Sequence, residues 1–163
     1  MKIDANQREL GAPDYLPGTR VGIVVSSYHR NITGKLLDGA LETLSSVGLG
    51  ENDVQVIWVP GSWEIPVVAQ RMLKGGKVDG VICLGCVIRG ETTHDQHINH
   101  SISFALGQLA IEFSKPVAFG VLTCNSLEQA VARSGGDVGN KGIEAAEAVL
   151  HVLNAFEQLK SGD

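Results

Sequence analysis

Positive charge is in deficit in this chain: 13 Lys and Arg residues stand against 18 Asp and Glu, a formal net charge of −5. That balance argues against a general nucleic-acid binder, because no basic face offsets phosphate repulsion. Small anions stay within reach, since a local Arg, Lys or helix N-terminus is enough to hold one. Long apolar runs are also missing. No stretch reaches the ~18 residues that a membrane-spanning helix requires. The opening MKIDANQREL has no apolar run behind its early Lys, so no signal peptide is read there. Cysteine is sparse and odd in number, at Cys83, Cys86 and Cys124, which suits a reduced compartment. Internal repeats and low-complexity tracts are absent. With 163 residues, 44% of them hydrophobic, the chain has enough material for one packed domain. The expectation is a soluble, cytoplasmic protein.

What is present has a clear rhythm. Residues 1–17 are polar and carry Pro13 and Pro17, which reads as an extended arm ahead of a single domain over 18–163. RVGIVVSS (20–27) is a short β-branched run that suits a strand buried on both faces. A helix is expected from about Asn31, with Ile32, Leu36, Ala40, Leu44 and Val47 near one face and Gly48 closing it. Strands over 53–59, 79–85 and 116–122 alternate with helices over 66–76, 95–113 and 141–160. Ser126 with Gln129 makes a capping box for a short helix reaching Arg133. The 95–113 helix aligns Ile98, Ile102, Ala105, Leu109 and Phe113; the last aligns Ile143, Ala146, Leu150, Leu153 and Phe156. Strand–helix alternation of this kind means βαβ units, a parallel sheet and an α/β sandwich.

In such sheets ligands bind outside the carboxyl ends of the strands, which selects the segments 26–31, 60–65, 85–94 and 122–126. The first, SSYHRN, sets Tyr28 and a histidine where a buried strand opens, either packing over a helix end or forming a stacking platform for a planar ligand. In the second, PGSWEIP, Ser62 reads as a helix N-cap and Glu64 as a first-turn carboxylate favoured by the helix dipole. Neither reading explains Trp63 beside them. The third, GCVIRGETTHDQH, combines two glycines, Arg89, Thr92 and Thr93 with His94 at the mouth of a helix, a set suited to an anion and a proton carrier. Beyond the fourth, Arg133 and Lys141 sit near helix boundaries, placed either by the dipole or for a phosphate.

A metal reading is weaker. His94, His97 and His100 crowd together, but at about 100° per residue the third lies far around the helix from the first. Cys83-Leu84-Gly85-Cys86 has the spelling of a paired thiol motif, yet it closes a strand and has no second pair. No metal is expected.

The blocks SSYHRNIT, VPGSWEIP, CLGCVIRGETTH, PVAFGVLT and SLEQAVARSGGDVGNKGIEAA occur in the order and at about the spacing found in the lumazine synthase family, and the chain resembles that family from roughly residue 18 to 158. The resemblance implies a flavodoxin-like three-layer αβα sandwich around a four-stranded parallel sheet. It implies a cofactor-free transferase of riboflavin biosynthesis that condenses 5-amino-6-(D-ribitylamino)uracil with 3,4-dihydroxy-2-butanone 4-phosphate to 6,7-dimethyl-8-ribityllumazine, phosphate and water. It also implies a homopentamer with active sites between neighbours and the arm added to a neighbour's sheet. Some members join twelve pentamers into an icosahedral capsid, and the compact GGDVGNKG, lacking an insertion, points that way.

Site roles follow from the same resemblance. Tyr28 stands where the family stacks Phe or Trp on the pyrimidine. Ser62, Trp63 and Glu64 match the segment that holds the ribityl chain and ring, with Trp63 in place of a commoner Phe. Cys86, Val87 and Ile88 match the strand end whose backbone reads the pyrimidine edge. Glu91 and Thr92 match the phosphate turn, with the Glu91 side chain pointing away. His94 matches the proton-transfer residue. Phe119 and Arg133 match residues given by a neighbouring subunit, with Arg133 on the phosphate and Lys141 assisting. A non-catalytic flavin or lumazine binder, or a shell-forming protein on the same fold, is the alternative; neither needs His94 together with Arg133.

Overall fold

The computed structural model describes residues 10, 11, 14 and 16–160. The expected arm therefore lies outside the described residues except at its end, where the Asp14 backbone N–H donates to Asn154 Oδ1 (3.1 Å) and Asn154 Nδ2 donates to the Asp14 carbonyl (3.3 Å).

In chain order the elements are β1 (Val21–Ser26), α1 (Arg30–Ser46), β2 (Val54–Val59), α2 (Ile65–Lys74), β3 (Gly80–Ile88), α3 (His94–Phe113), β4 (Val117–Cys124), α4 (Leu127–Ala132), β5 (Ser134–Gly136), β6 (Gly139–Asn140) and α5 (Lys141–Lys160), with single 3₁₀ turns at Glu51–Asp53 and Ser62–Glu64. Strands β2-β1-β3-β4 form one parallel sheet in that order, with Val21 opposite both Val54 and Gly80, and Val81 opposite Val117. Every residue of β1 is buried, as its unbroken β-branched run requires of a strand covered on both faces. The outer strands differ. Gln55 and Ile57 of β2, and Phe119 and Thr123 of β4, are exposed.

Successive strand residues point to opposite faces, and this divides the core in two. Ile23, Val25, Ile82, Leu84 and Cys86 pack with Ile32, Leu36, Ala40 and Leu44 of α1 and Ala146, Val149 and Leu150 of α5. Val24, Val81, Cys83 and Val121 pack with Ile65, Ala69 and Leu73 of α2 and Ile102, Leu106 and Leu109 of α3. Each fully buried Ile or Leu contributes about 1.5–3 kcal/mol through the water it sheds. This is the three-layer αβα sandwich read from the sequence.

Helices α1 and α5 touch backbone to backbone. A Cβ on Gly142 would run into the Leu36 carbonyl oxygen. Asn140 clasps the crossing: its Nδ2 donates to the Lys35 carbonyl (3.0 Å) and its Oδ1 accepts the Gly142 N–H (2.8 Å).

Several local expectations change. Strand β3 continues to Ile88, beyond 79–85, because its pairing with β4 persists to Ile88 opposite Cys124. The β5–β6 hairpin, antiparallel across Ser134 and Asn140, was not anticipated. Ile143 is 36% exposed, and Gly142, Ala145 and Val149 take the inward positions beside Ala146, Leu150 and Leu153. Ser62 is not an N-cap; it lies buried inside the 3₁₀ turn, and Glu64 precedes α2. The Ser126 cap is present, with its Oγ accepting the Gln129 N–H at 3.3 Å.

Candidate active site

The sheet order reverses direction between β1 and β3, so the segments leaving their carboxyl ends diverge and open a crevice. A cleft of about 800 Å³ occupies that position, within the size range of sites that take small molecules.

The first wall follows β1. Ser27 and Tyr28 donate to the carbonyls of Val59 (2.7 Å) and Pro60 (3.0 Å), so the chain stays pinned to β2 past the strand's end. His29 then turns left-handed (φ 57, ψ 48) as the N-cap of α1, and its carbonyl accepts from Ile32 (2.8 Å) and Thr33 (3.0 Å). Thr33 Oγ1 donates to the Ser26 carbonyl at 2.7 Å, tying helix start to strand end. Thus Tyr28, 69% exposed, projects from a rigid support. Its ring meets the His29 ring edge to face, with centroids 4.7 Å apart and planes at 72°.

The second wall is the turn Ser62–Glu64. Glu64 Oε2 accepts the Gly61 N–H at 2.9 Å, which fixes the turn. Ser62 is buried, while Trp63 is 57% exposed. Gly85 is needed beneath it, since a Cβ there would stand 2.5 Å from Ser62 Oγ. The floor is the end of β3, Cys86 to Ile88. Arg89 donates its backbone N–H to the Cys124 carbonyl at 2.8 Å, which carries the loop to the start of α3. There Thr92 Oγ1 lies 3.4 Å from the His94 backbone N.

Eight of the residues singled out in the sequence line this one cleft: Tyr28, Ser62, Trp63, Cys86, Val87, Ile88, Thr92 and His94. Four do not. Glu64 is engaged in the turn; Glu91 is exposed at the rim. Phe119 lies midway along β4, opposite Cys83. Arg133 caps the end of α4, whose Ala130 belongs to the core on the other side of the sheet. Lys141 pairs with Glu144 at 2.7 Å. No Lys or Arg is among the cleft's lining residues.

Sequence reasoning missed Asn31, Asp95, Ile98 and Leu127 as lining residues and read His29 only as the histidine beside Tyr28. His29 carried one usable signal, since His tolerates the left-handed conformation better than most residues. Among the described residues no group of three His, Cys, Asp or Glu is placed to hold a metal ion, and no helix is long and apolar enough to cross a membrane.

Burial pushes the Cys86 thiol up to about 12, helped by Cys124 beside it. Burial also raises Cys83 and Cys124, with Arg133 opposing the shift at Cys124. A protonated thiol is a poor nucleophile, so Cys86 offers the cleft shape and backbone, not attack.

Comparison with known proteins agrees with this geometry. The family model described as 6,7-dimethyl-8-ribityllumazine synthase matches residues 18–157. A 6,7-dimethyl-8-ribityllumazine synthase of Rhodopirellula baltica is 48% identical over 150 residues, covering 92% of this chain and 97% of that protein. One of Coxiella burnetii is 42% identical over 144 residues, covering 88% and 95%. On the length of the match and the level of identity, the chain belongs to the 6,7-dimethyl-8-ribityllumazine synthase family.

Proposed function

We propose that the chain is a transferase that condenses 5-amino-6-(D-ribitylamino)uracil with 3,4-dihydroxy-2-butanone 4-phosphate in the β1/β3 cleft, and that it does so in the cytoplasm as a homopentamer. The observation that carries the reading is the convergence of Tyr28, Ser62, Trp63, Cys86, Val87, Ile88, Thr92 and His94 on one cavity. Two exposed rings, Tyr28 and Trp63, offer flat faces to a heterocycle. The β3 end supplies backbone groups for its edge, and Ser62 with Glu64 lies toward the ribityl chain. The amides and hydroxyls around Thr92, at the start of α3, suit the phosphate; the exposed Glu91 carboxylate stays clear of it.

The exocyclic amine attacks the ketone, and loss of water gives an imine. Loss of the C3 proton and of phosphate leaves an enol that tautomerises to a new ketone at C3. The ribitylamino nitrogen closes the ring on that ketone, and a second dehydration yields the lumazine. Each step moves protons and none needs a strong nucleophile, so His94 acts as the proton carrier, an effect worth about 10²–10⁴-fold. Holding two reactants side by side supplies much of the rest, since effective molarities reach about 10⁵–10⁸ M.

The absence of Lys and Arg from the cleft lining supports a shared site. Arg133 and Phe119 of one subunit then complete the cleft of the next, with Lys141 near the phosphate. The exposed apolar side chains Phe104, Ile111 and Val138 suit burial between subunits. The short β5–β6 connection favours assembly of twelve pentamers into a capsid. Mixing the purified protein with both compounds should produce lumazine fluorescence and equimolar phosphate; product at the buffer rate would end the proposal. Light scattering reads the assembly.

A further inference from the structure

Helix α3 turns a stripe of residues to the sheet: Ile102, Leu106 and Leu109 are buried and Ile98 packs against them. Followed toward the helix start at spacings of three and four residues, the stripe runs through Asn99 and Asp95. An apolar residue at either position would extend the core. Instead the Oδ1 atoms of Asp95 and Asn99 are both sealed from solvent without a hydrogen-bond partner among the described residues. The side-chain ion pairs among those residues are Lys141–Glu144 and Lys160–Glu157, so no cation meets Asp95. Burying an acceptor without a donor is costly, more so for a carboxylate. The helix dipole favours a carboxylate in the first turn of α3. It does not explain one on the inward stripe.

Asp95 lines the cleft beside Ser62, Trp63, His94 and Ile98. We propose that Asp95 is a further substrate-binding residue whose carboxylate accepts hydrogen bonds from the hydroxyl groups of a polyol-bearing ligand. This rests on the reading that the cleft takes ribitylaminouracil. Asp95 is the one Asp, Glu, Lys or Arg among the cleft's lining residues. Its carboxylate attracts neutral O–H donors, which bind a carboxylate more tightly than they bind a neutral acceptor. The fold accepts a local loss of stability at the start of α3 to keep this acceptor.

The test compares Asp95→Leu and Asp95→Asn with the parent protein. Asp95→Leu should raise the melting temperature, because it completes the apolar stripe, while raising KM for ribitylaminouracil about 10–100-fold. KM for the butanone phosphate should stay within about twofold. Asp95→Asn, which keeps shape without charge, should fall between. With an aminouracil whose side chain lacks the hydroxyls, parent and Asp95→Leu should have the same KM. A lower melting temperature in Asp95→Leu, an equal rise in both KM values, or an unchanged KM for ribitylaminouracil would each overturn the assignment. Failure of the parent protein to form lumazine would instead sink the proposed activity, an outcome separate from any difference between variants.

Discussion

Helices α3 and α5 have the same length, 20 residues, and lie on opposite faces of one sheet, yet they are finished to different degrees. Six residues of α5 are buried, against three of α3. Helix α5 meets α1 through Gly142 with no room for a methyl group, whereas α3 leaves Phe104 70% and Ile111 80% exposed. The α1/α5 crossing is closed within the chain, backbone against backbone. The α2/α3 face leaves apolar side chains facing out and orphan acceptors on its buried stripe, and it borders a cleft without a Lys or Arg. The first face is built for stability and the second for a ligand and neighbours.

That contrast can be broken by substitution. Gly142→Ala should have the largest effect, about 3–5 kcal/mol of stability, because the new Cβ meets the backbone of Leu36 and neither helix can yield without uncovering its neighbours. Denaturant melts measure it, and the activity of the molecules that still fold should be unchanged; a loss below about 1 kcal/mol would mean that the α1/α5 face is not tightly closed. On the open face His94→Ala should do the reverse, slowing turnover about 10²–10⁴-fold with the melting curve unaltered and residual activity retained from positioning. Complete loss with folding intact would contradict the positioning account.

Arg133→Ala sharpens the contrast, since Arg133 sits at the end of α4 on the closed side of its own chain. It should raise apparent KM for the butanone phosphate about 10–100-fold and leave that for the uracil alone, as loss of a charge-assisted contact predicts. Equal effects on both would remove Arg133 from the phosphate.

The smallest effect concerns the two faces together. Burial holds the Cys86 thiol near about 12 and pushes Cys83 up as well, one in each half of the core. An unfolded thiol titrates at about 8.5. Between that pH and about 12 the folded chain keeps protons that the unfolded chain releases, so stability is full below the lower value and falls as pH rises through the window. Melting temperature against pH should decline on the alkaline side, less steeply in Cys86→Ala; an identical slope in the variant would rule out this thiol.

Much of this was legible beforehand because local pattern and global fold agree. The β-branched run at 20–27 is buried throughout β1, and the periodic stretch at 141–160 is one helix with the expected bounds. Eight of the expected residues line one cleft; the rule that parallel sheets bind ligands at strand ends selected their segments, and the family resemblance named the residues within them. Where the reading failed, the reason is geometric. Ile143 was turned inward because a stripe was drawn through the largest side chains, while the close approach of α1 required Gly142 and Ala145 there. The hairpin at 134–140 is too short and glycine-rich to announce a strand. Asp95 was passed over because a first-turn carboxylate has an ordinary explanation, and only burial marks it as unusual. Phe119 and Arg133, assigned through the resemblance to a neighbour's site, are not among the residues lining their own chain's cleft.

The separation of His94 from Arg133 has a genetic consequence. When each catalytic centre draws the first from one polypeptide and the second from another, two differently crippled alleles can rescue each other. Co-refolding His94→Ala chains with Arg133→Ala chains would regenerate intact centres at a minority of seams, whereas either mutant refolded alone would have none.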